Sequence, residues 1–192
     1  MTLMILGLVL FLGTHSVRIF ADDWRTQTHA RLGEGAWKGA YSVLSVLGFV
    51  LLCWGFGIAR QQPVVLWIPP IWTRHLAAPL TLVAFILLFS SRFPGSSIQA
   101  RLKHPMVLGV KVWALAHLLA NGTLAHLVLF GSFLVWAVLS YRAARQRDRR
   151  EQTVYPPGRA GPTVLSVAVG VVAWAVFAFW AHGVLIGVRP FG

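Results

Sequence analysis

Seven histidines are the side chains whose type and placing invite a chemical reading, because three of them, His15, His117 and His182, fall well inside long apolar runs. An imidazole in hydrocarbon is costly unless it finds a hydrogen bond, a metal or a cofactor. Interhelical hydrogen bonding and cofactor ligation are therefore the two readings open to these three. The other four are placed differently. His29 lies in a charged loop and reads as solvated, and His126 follows the turn signal Asn121-Gly122, where it caps a helix or meets headgroups. His75 and His104, in PPIWTRH and LKHP, stand at the starts of apolar runs, where an imidazole keeps contact with water. In apolar surroundings, imidazole alone suits haem iron better than magnesium or calcium, which take oxygen ligands.

Two neighbours extend this set. Lys111 is embedded about two turns into an apolar run, on nearly the same helix face as His104. Its readings are snorkelling toward the cytoplasm or pairing with an anionic group such as a haem propionate. Trp113 precedes His117 by one turn, so its indole either packs the core or positions the imidazole.

Other chemistries lack their residues. The sequence carries no phosphate loop, no dinucleotide-binding glycine fingerprint, no nucleophile elbow and no paired carboxylates. Its acidic residues, Asp22, Asp23, Glu34, Asp148 and Glu151, all fall in segments read as cytoplasmic loops, which leaves no intramembrane carboxylate relay or metal cage. Cys53 is the single cysteine, so an internal disulfide, a CxxC zinc site and a covalent CxxCH haem attachment are excluded.

The elements that position these residues must be membrane helices. With 57% hydrophobic residues, 11% charged residues and a mean hydropathy of +0.69, the chain reads as an all-α, polytopic transmembrane bundle of about six helices. It forms one domain over 1–192. Continuous apolar runs longer than the ~10 residues of a barrel strand argue against a β-barrel. Spans are expected near 1–20, 38–59, 73–91, 105–121, 123–141 and 163–188. The fourth and fifth make a tight helical hairpin over 105–141, turning at Asn121-Gly122. The first span lacks a basic n-region and a cleavage site, so a retained, outward-facing N terminus is expected.

The net charge of +12 follows topology rather than a basic patch for nucleic acid. Thirteen lysines and arginines flank the inner ends of the odd loops, whereas Arg60, Arg74 and Arg189 alone fall on the other side. The positive-inside rule then puts both termini outside the cytoplasm. The arginine-rich segment 142–162 is the one linker-like loop and reads as a topological anchor facing the lipid bilayer. No inverted repeat or pair of broken helices favours a transporter.

The run HPMVLGVKVWALAHLLANGTLAHLVLFGSFLVWA, with GTHSVRIF, PPIWTRHLA and FAFWAHGVLIG, closely resembles the bacterial NnrU family over nearly the whole chain. That resemblance implies a bacterial inner-membrane protein linked to denitrification, with a nitrite or nitric oxide reductase system as its partner. The same pattern looks like plant 15-cis-zeta-carotene isomerase, a distant relative whose histidine-held haem b isomerises a polyene. Carried over by residue, its haem histidines match His15 and His117, and its histidine before proline matches His104. A cysteine three residues before the second ligand is Ala114 here, so a thiolate switch at that position has no counterpart.

Haem b is thus implied as a cofactor, with His15 and His117 on iron and His104 and Lys111 nearby. At 1.5 Å per residue, His15 lies ~10 Å and His117 ~18 Å from the inner surface. The functions implied are redox, gas or sensing chemistry at iron, or isomerisation of a membrane-dissolved polyene. A non-enzymatic scaffold or maturation partner for a reductase is the further alternative.

Overall fold

The apolar runs fold into seven helices in the computed structural model, which describes residues 1–191. In chain order these are α1 (Thr2–Phe20), α2 (Asp22–Ala59), α3 (Ile71–Ser90), α4 (Ser97–Leu102), α5 (Pro105–Ala120), α6 (Leu124–Arg150) and α7 (Ala160–Ile186). Five of them, α1, α2, α3, α6 and α7, are long and apolar enough to cross a bilayer. The chain is therefore an all-helical, multi-pass membrane bundle. At 16 residues, α5 spans only about 24 Å, short of a ~30 Å hydrocarbon core. Among the described residues the β-type pairings are isolated bridges, Val65 with Thr123 and Ser96 with Arg159.

Helix boundaries follow hydropathy where lipid sets them and depart from it in the polar flanks. The expected loop after the first span is helical, since α2 begins at Asp22 and is broken by a non-helical residue, Gly33, at φ 79° and ψ 164°. Helix α6 likewise continues past Tyr141 to Arg150, over a stretch of alanine and arginine that favours helix. Asp22, Asp23, Glu34 and Asp148 consequently lie on helices rather than in loops. Within α7, Phe177–Ala181 forms a π-helical turn just before His182.

Packing runs as a row: α2 on α1, α1 on α6, α6 on α5, α5 on α3 and α3 on α7. Glycine sets the closest approach. A Cβ at Gly7 would overlap the Leu52 backbone and one at Gly55 the Met4 backbone, so α1 and α2 touch main chain to main chain. Met4, Leu8, Leu52, Ala114, Ala125, Leu129 and Phe130 form the core where α1, α2, α5 and α6 meet.

Both ends are tied. At the end away from the arginine-rich loops, the Gly122 carbonyl accepts from Leu66 N at 2.8 Å and Trp67 N at 3.1 Å, and Arg60 Nη1 donates to Ile186 O at 2.9 Å. The tight turn expected at Asn121-Gly122 is thus built and sealed by the 61–70 segment. At the basic end, Arg147 Nη1 donates to Arg18 O at 3.0 Å.

Candidate functional site

His15 and His117 are presented by the same local device. Each Nδ1–H donates to the carbonyl four residues earlier in its own helix, Phe11 O and Trp113 O, at 2.8 Å. That bond fixes the ring and leaves the Nε2 lone pair without a protein partner among the described residues. Both side chains are partly buried.

Their surroundings differ. The His15 ring lies 4.3 Å from Phe11, 5.3 Å from Tyr41 of α2 and 6.3 Å from Trp136 of α6, the last two edge-on. His117 is stacked on Phe130 at 4.5 Å and tilted against Trp113 at 5.1 Å. Behind it Ala114 is fully buried, so a core methyl fills the position three residues before His117.

The two imidazoles do not meet. Their contacts on α6, Trp136 for His15 and Phe130 for His117, are six residues apart, about 9 Å along the helix axis. Between them run Phe11, Phe133 and Trp113, with ring centroids 6.0 Å and 5.4 Å apart in sequence. The depth difference computed from residue count alone is therefore retained in the packed helices, and an aromatic path joins the two levels.

Two further histidines lie toward the end of the bundle away from the arginine-rich loops. His126 stands 6.0 Å from Phe130, near-parallel to it, with Thr123 Oγ1 at 2.6 Å from its Nδ1. His182, beyond the π-turn, donates from Nδ1 to Val188 O at 2.6 Å. Among the described residues no group of three or more His, Cys, Asp or Glu side chains is arranged to hold a metal ion.

At the basic end lies a cluster that sequence reasoning only half found. His104 precedes Pro105, the first residue of α5, and its Nε2–H donates to Asp148 Oδ2 at 2.9 Å. Arg145 Nη1 donates to the same oxygen at 2.7 Å, and Tyr155 OH to Oδ1 at 3.0 Å. The Lys103 ammonium sits 4.5 Å above the Tyr155 ring. Burial alone would push the Asp148 carboxyl up, but the bonds from His104, Tyr155 and Arg145 outweigh it and hold the carboxyl below its usual range. Tyr155, part-buried and bonded to that carboxylate, is pushed up to about 12. His104 was legible from LKHP. Asp148 and Tyr155 were not, because their only signal is an acid and a phenol in a basic segment more than forty residues away.

Lys111 is exposed on α5 and has no ion-pair partner among the described residues, as a snorkelling lysine requires. His75 is exposed at the start of α3. Two open grooves of about 510 and 610 Å³ run along α1 and share Leu12, Ser16 and Ser132.

Comparison with known proteins gives one match. A family profile described as NnrU protein covers residues 3–190. No curated protein and no solved structure matches.

Proposed function

The chain belongs to the NnrU family, and from that premise we propose that it is a bacterial inner-membrane protein of nitrogen-oxide metabolism, acting with the nitrite and nitric oxide reductase system, that binds haem b through an intramembrane histidine. One observation carries the haem reading: His117 holds its proton on Nδ1 against Trp113 O and leaves Nε2 free in an aromatic setting. That is the form in which histidine ligates iron, with the second ring nitrogen oriented by a hydrogen bond.

The donor set fits iron one histidine at a time. His15 and His117 offer the same tautomer but at levels about 9 Å apart, so a single iron takes one of them in this arrangement. His117 is the better placed of the two, being the more closely packed among aromatic rings. Trp113 O fixes its ring, the Phe130 face covers it and excludes water, and the buried Ala114 leaves no competing thiolate. Lys111, six residues nearer the basic end on α5, supplies a cation for a propionate. His104 is committed through Nε2 to Asp148 and holds the start of α5 in place. When bound through a single histidine, haem b supplies a one-electron couple and an open coordination position for a diatomic gas.

The apolar grooves along α1 support a second reading, isomerisation of a membrane-dissolved polyene, because they are open and lined by side chains such as Leu8, Leu12, Leu127 and Leu139. Product analysis with a carotenoid substrate separates it from gas chemistry. Oxidised and reduced absorption spectra of the purified protein test the haem reading directly. A colourless protein from haem-replete cells that co-purifies with a reductase would instead fit a scaffold.

A further inference from the structure

The arginines that end α6 are not equivalent. Arg145 Nη1 donates to Asp148 Oδ2 and Arg147 Nη1 to Arg18 O, so both are engaged within the bundle. Arg142 and Arg149 are exposed and have no ion-pair or side-chain hydrogen-bond partner among the described residues. The positive-inside rule depends on the number of such charges and not on the helix face they occupy.

Helical spacing gives that face. Val128, Gly131, Val135 and Leu139 line the groove between α1 and α6, and Arg142 and Arg149 continue the same stripe, in steps of three, four and seven residues, on one unbroken helix. The stripe turns from apolar to cationic where α6 leaves the hydrocarbon. On α1 the second groove is lined from Leu8 to Ala21, reaching the end of the helix nearest the basic loops, and it shares Leu12, Ser16 and Ser132 with the first. At 1.5 Å per residue that stretch is about 20 Å long, more than the ~15 Å of half a hydrocarbon core. Gly131 keeps the trough open, since a Cβ there would meet nothing within 4 Å. No charged side chain lines either groove.

An occupant matched to this surface is apolar along the trough and anionic at its basic mouth. A hydrocarbon polyene has no anion for the two guanidiniums, and an inorganic anion has nothing to lay along the groove. A phospholipid with a negative headgroup has both parts, and guanidinium suits phosphate through paired N–H donors.

We propose that the α1/α6 trough is a specific site for an anionic phospholipid of the leaflet on the arginine-rich side, with an acyl chain along Gly131 and Val135 and the phosphate held by Arg142 and Arg149. The site stands whether or not His117 holds iron.

The test is native mass spectrometry of the full-length protein, released from mild detergent and titrated with phosphatidylglycerol or with phosphatidylcholine of the same acyl chains. A single saturable phosphatidylglycerol adduct, bound roughly tenfold more tightly than phosphatidylcholine, is expected. Arg142→Gln/Arg149→Gln should lose that preference, whereas Arg31→Gln/Arg101→Gln, which removes the same charge from exposed positions on other helices, should keep it. Gly131→Leu should weaken the binding of both lipids by filling the trough. Gel filtration and far-ultraviolet circular dichroism establish that each variant is folded, and Ser132→Leu replaces Gly131→Leu if that variant is not. Equal, non-saturating adducts of the two lipids would mark ordinary boundary lipid and overturn the proposal. A preference unchanged in Arg142→Gln/Arg149→Gln, or lost equally in both double variants, overturns the headgroup site, and unchanged binding in the filled-trough variant overturns the place of the chain.

Discussion

His104 Nε2 and Asp148 Oδ2 stand 2.9 Å apart, joining the first residue before α5 to the last turn of α6 across 44 positions of sequence. The Asp148 side chain is 11% exposed and also accepts from Arg145 and Tyr155, so its negative charge is held by three donors. Replacing it with asparagine leaves those donors poorly matched. Asp148→Asn should destabilise the folded protein by about 2 kcal/mol, the scale of hydrogen bonds to a charged group, read as a lowered Tm in detergent. An unchanged Tm would mean that the cluster contributes nothing to the fold.

The same cluster has a defined pH signature. Because the folded Asp148 carboxyl is held below its ordinary range by its donors, its stabilisation is fully present above the unfolded pKa of about 4 and is lost as pH falls through the lower folded value. Tyr155 behaves oppositely. Burial and the neighbouring carboxylate raise it to about 12, so its stabilisation is present below about 10 and disappears as pH rises from there toward the folded value. Relative to the wild type, Asp148→Asn should lack the acid limb of a Tm–pH profile, and Tyr155→Phe the alkaline limb. Superimposable profiles would contradict the assignment.

Contact between α1 and α2 depends on missing side chains. A Cβ at Gly55 would overlap Met4 backbone atoms, whereas one at Gly57, two residues on, meets nothing within 4 Å. Gly55→Ala should therefore cost roughly 1–3 kcal/mol through overpacking, while Gly57→Ala should be neutral or slightly stabilising. Thermal unfolding of the two variants side by side checks this, and equal Tm values would contradict the packing.

How much of this was legible in sequence depends on what fixes each feature. The spans near 1–20, 73–91 and 105–121 correspond to Thr2–Phe20, Ile71–Ser90 and Pro105–Ala120 within two residues, because hydrocarbon thickness and the Asn121-Gly122 turn are local constraints. The polar start of α2 and the charged extension of α6 were not legible, since hydropathy is blind to polar helices. Residue depth gave the separation of His15 from His117, but not their neighbours. Asp148 met His104 only once α5 and α6 packed, and the burial of the unpartnered Ser45 hydroxyl and Trp136 indole N–H exists only in three dimensions.

The charge distribution makes a topological prediction. With thirteen basic residues on one side of the bundle, the 142–159 segment should be cytoplasmic and both termini periplasmic. Alkaline phosphatase fused at the C terminus should be active, and the same enzyme inserted after Pro157 inactive. The reverse pattern would invert the orientation.

The central claim is haem at His117. We would purify the wild-type, His117→Ala and His15→Ala proteins from haem-replete cells and record their oxidised and reduced absorption spectra and haem content. A b-type spectrum in the wild type, abolished in His117→Ala and retained in His15→Ala, is the predicted result. A colourless wild-type protein, or a spectrum that survives in His117→Ala, would contradict it.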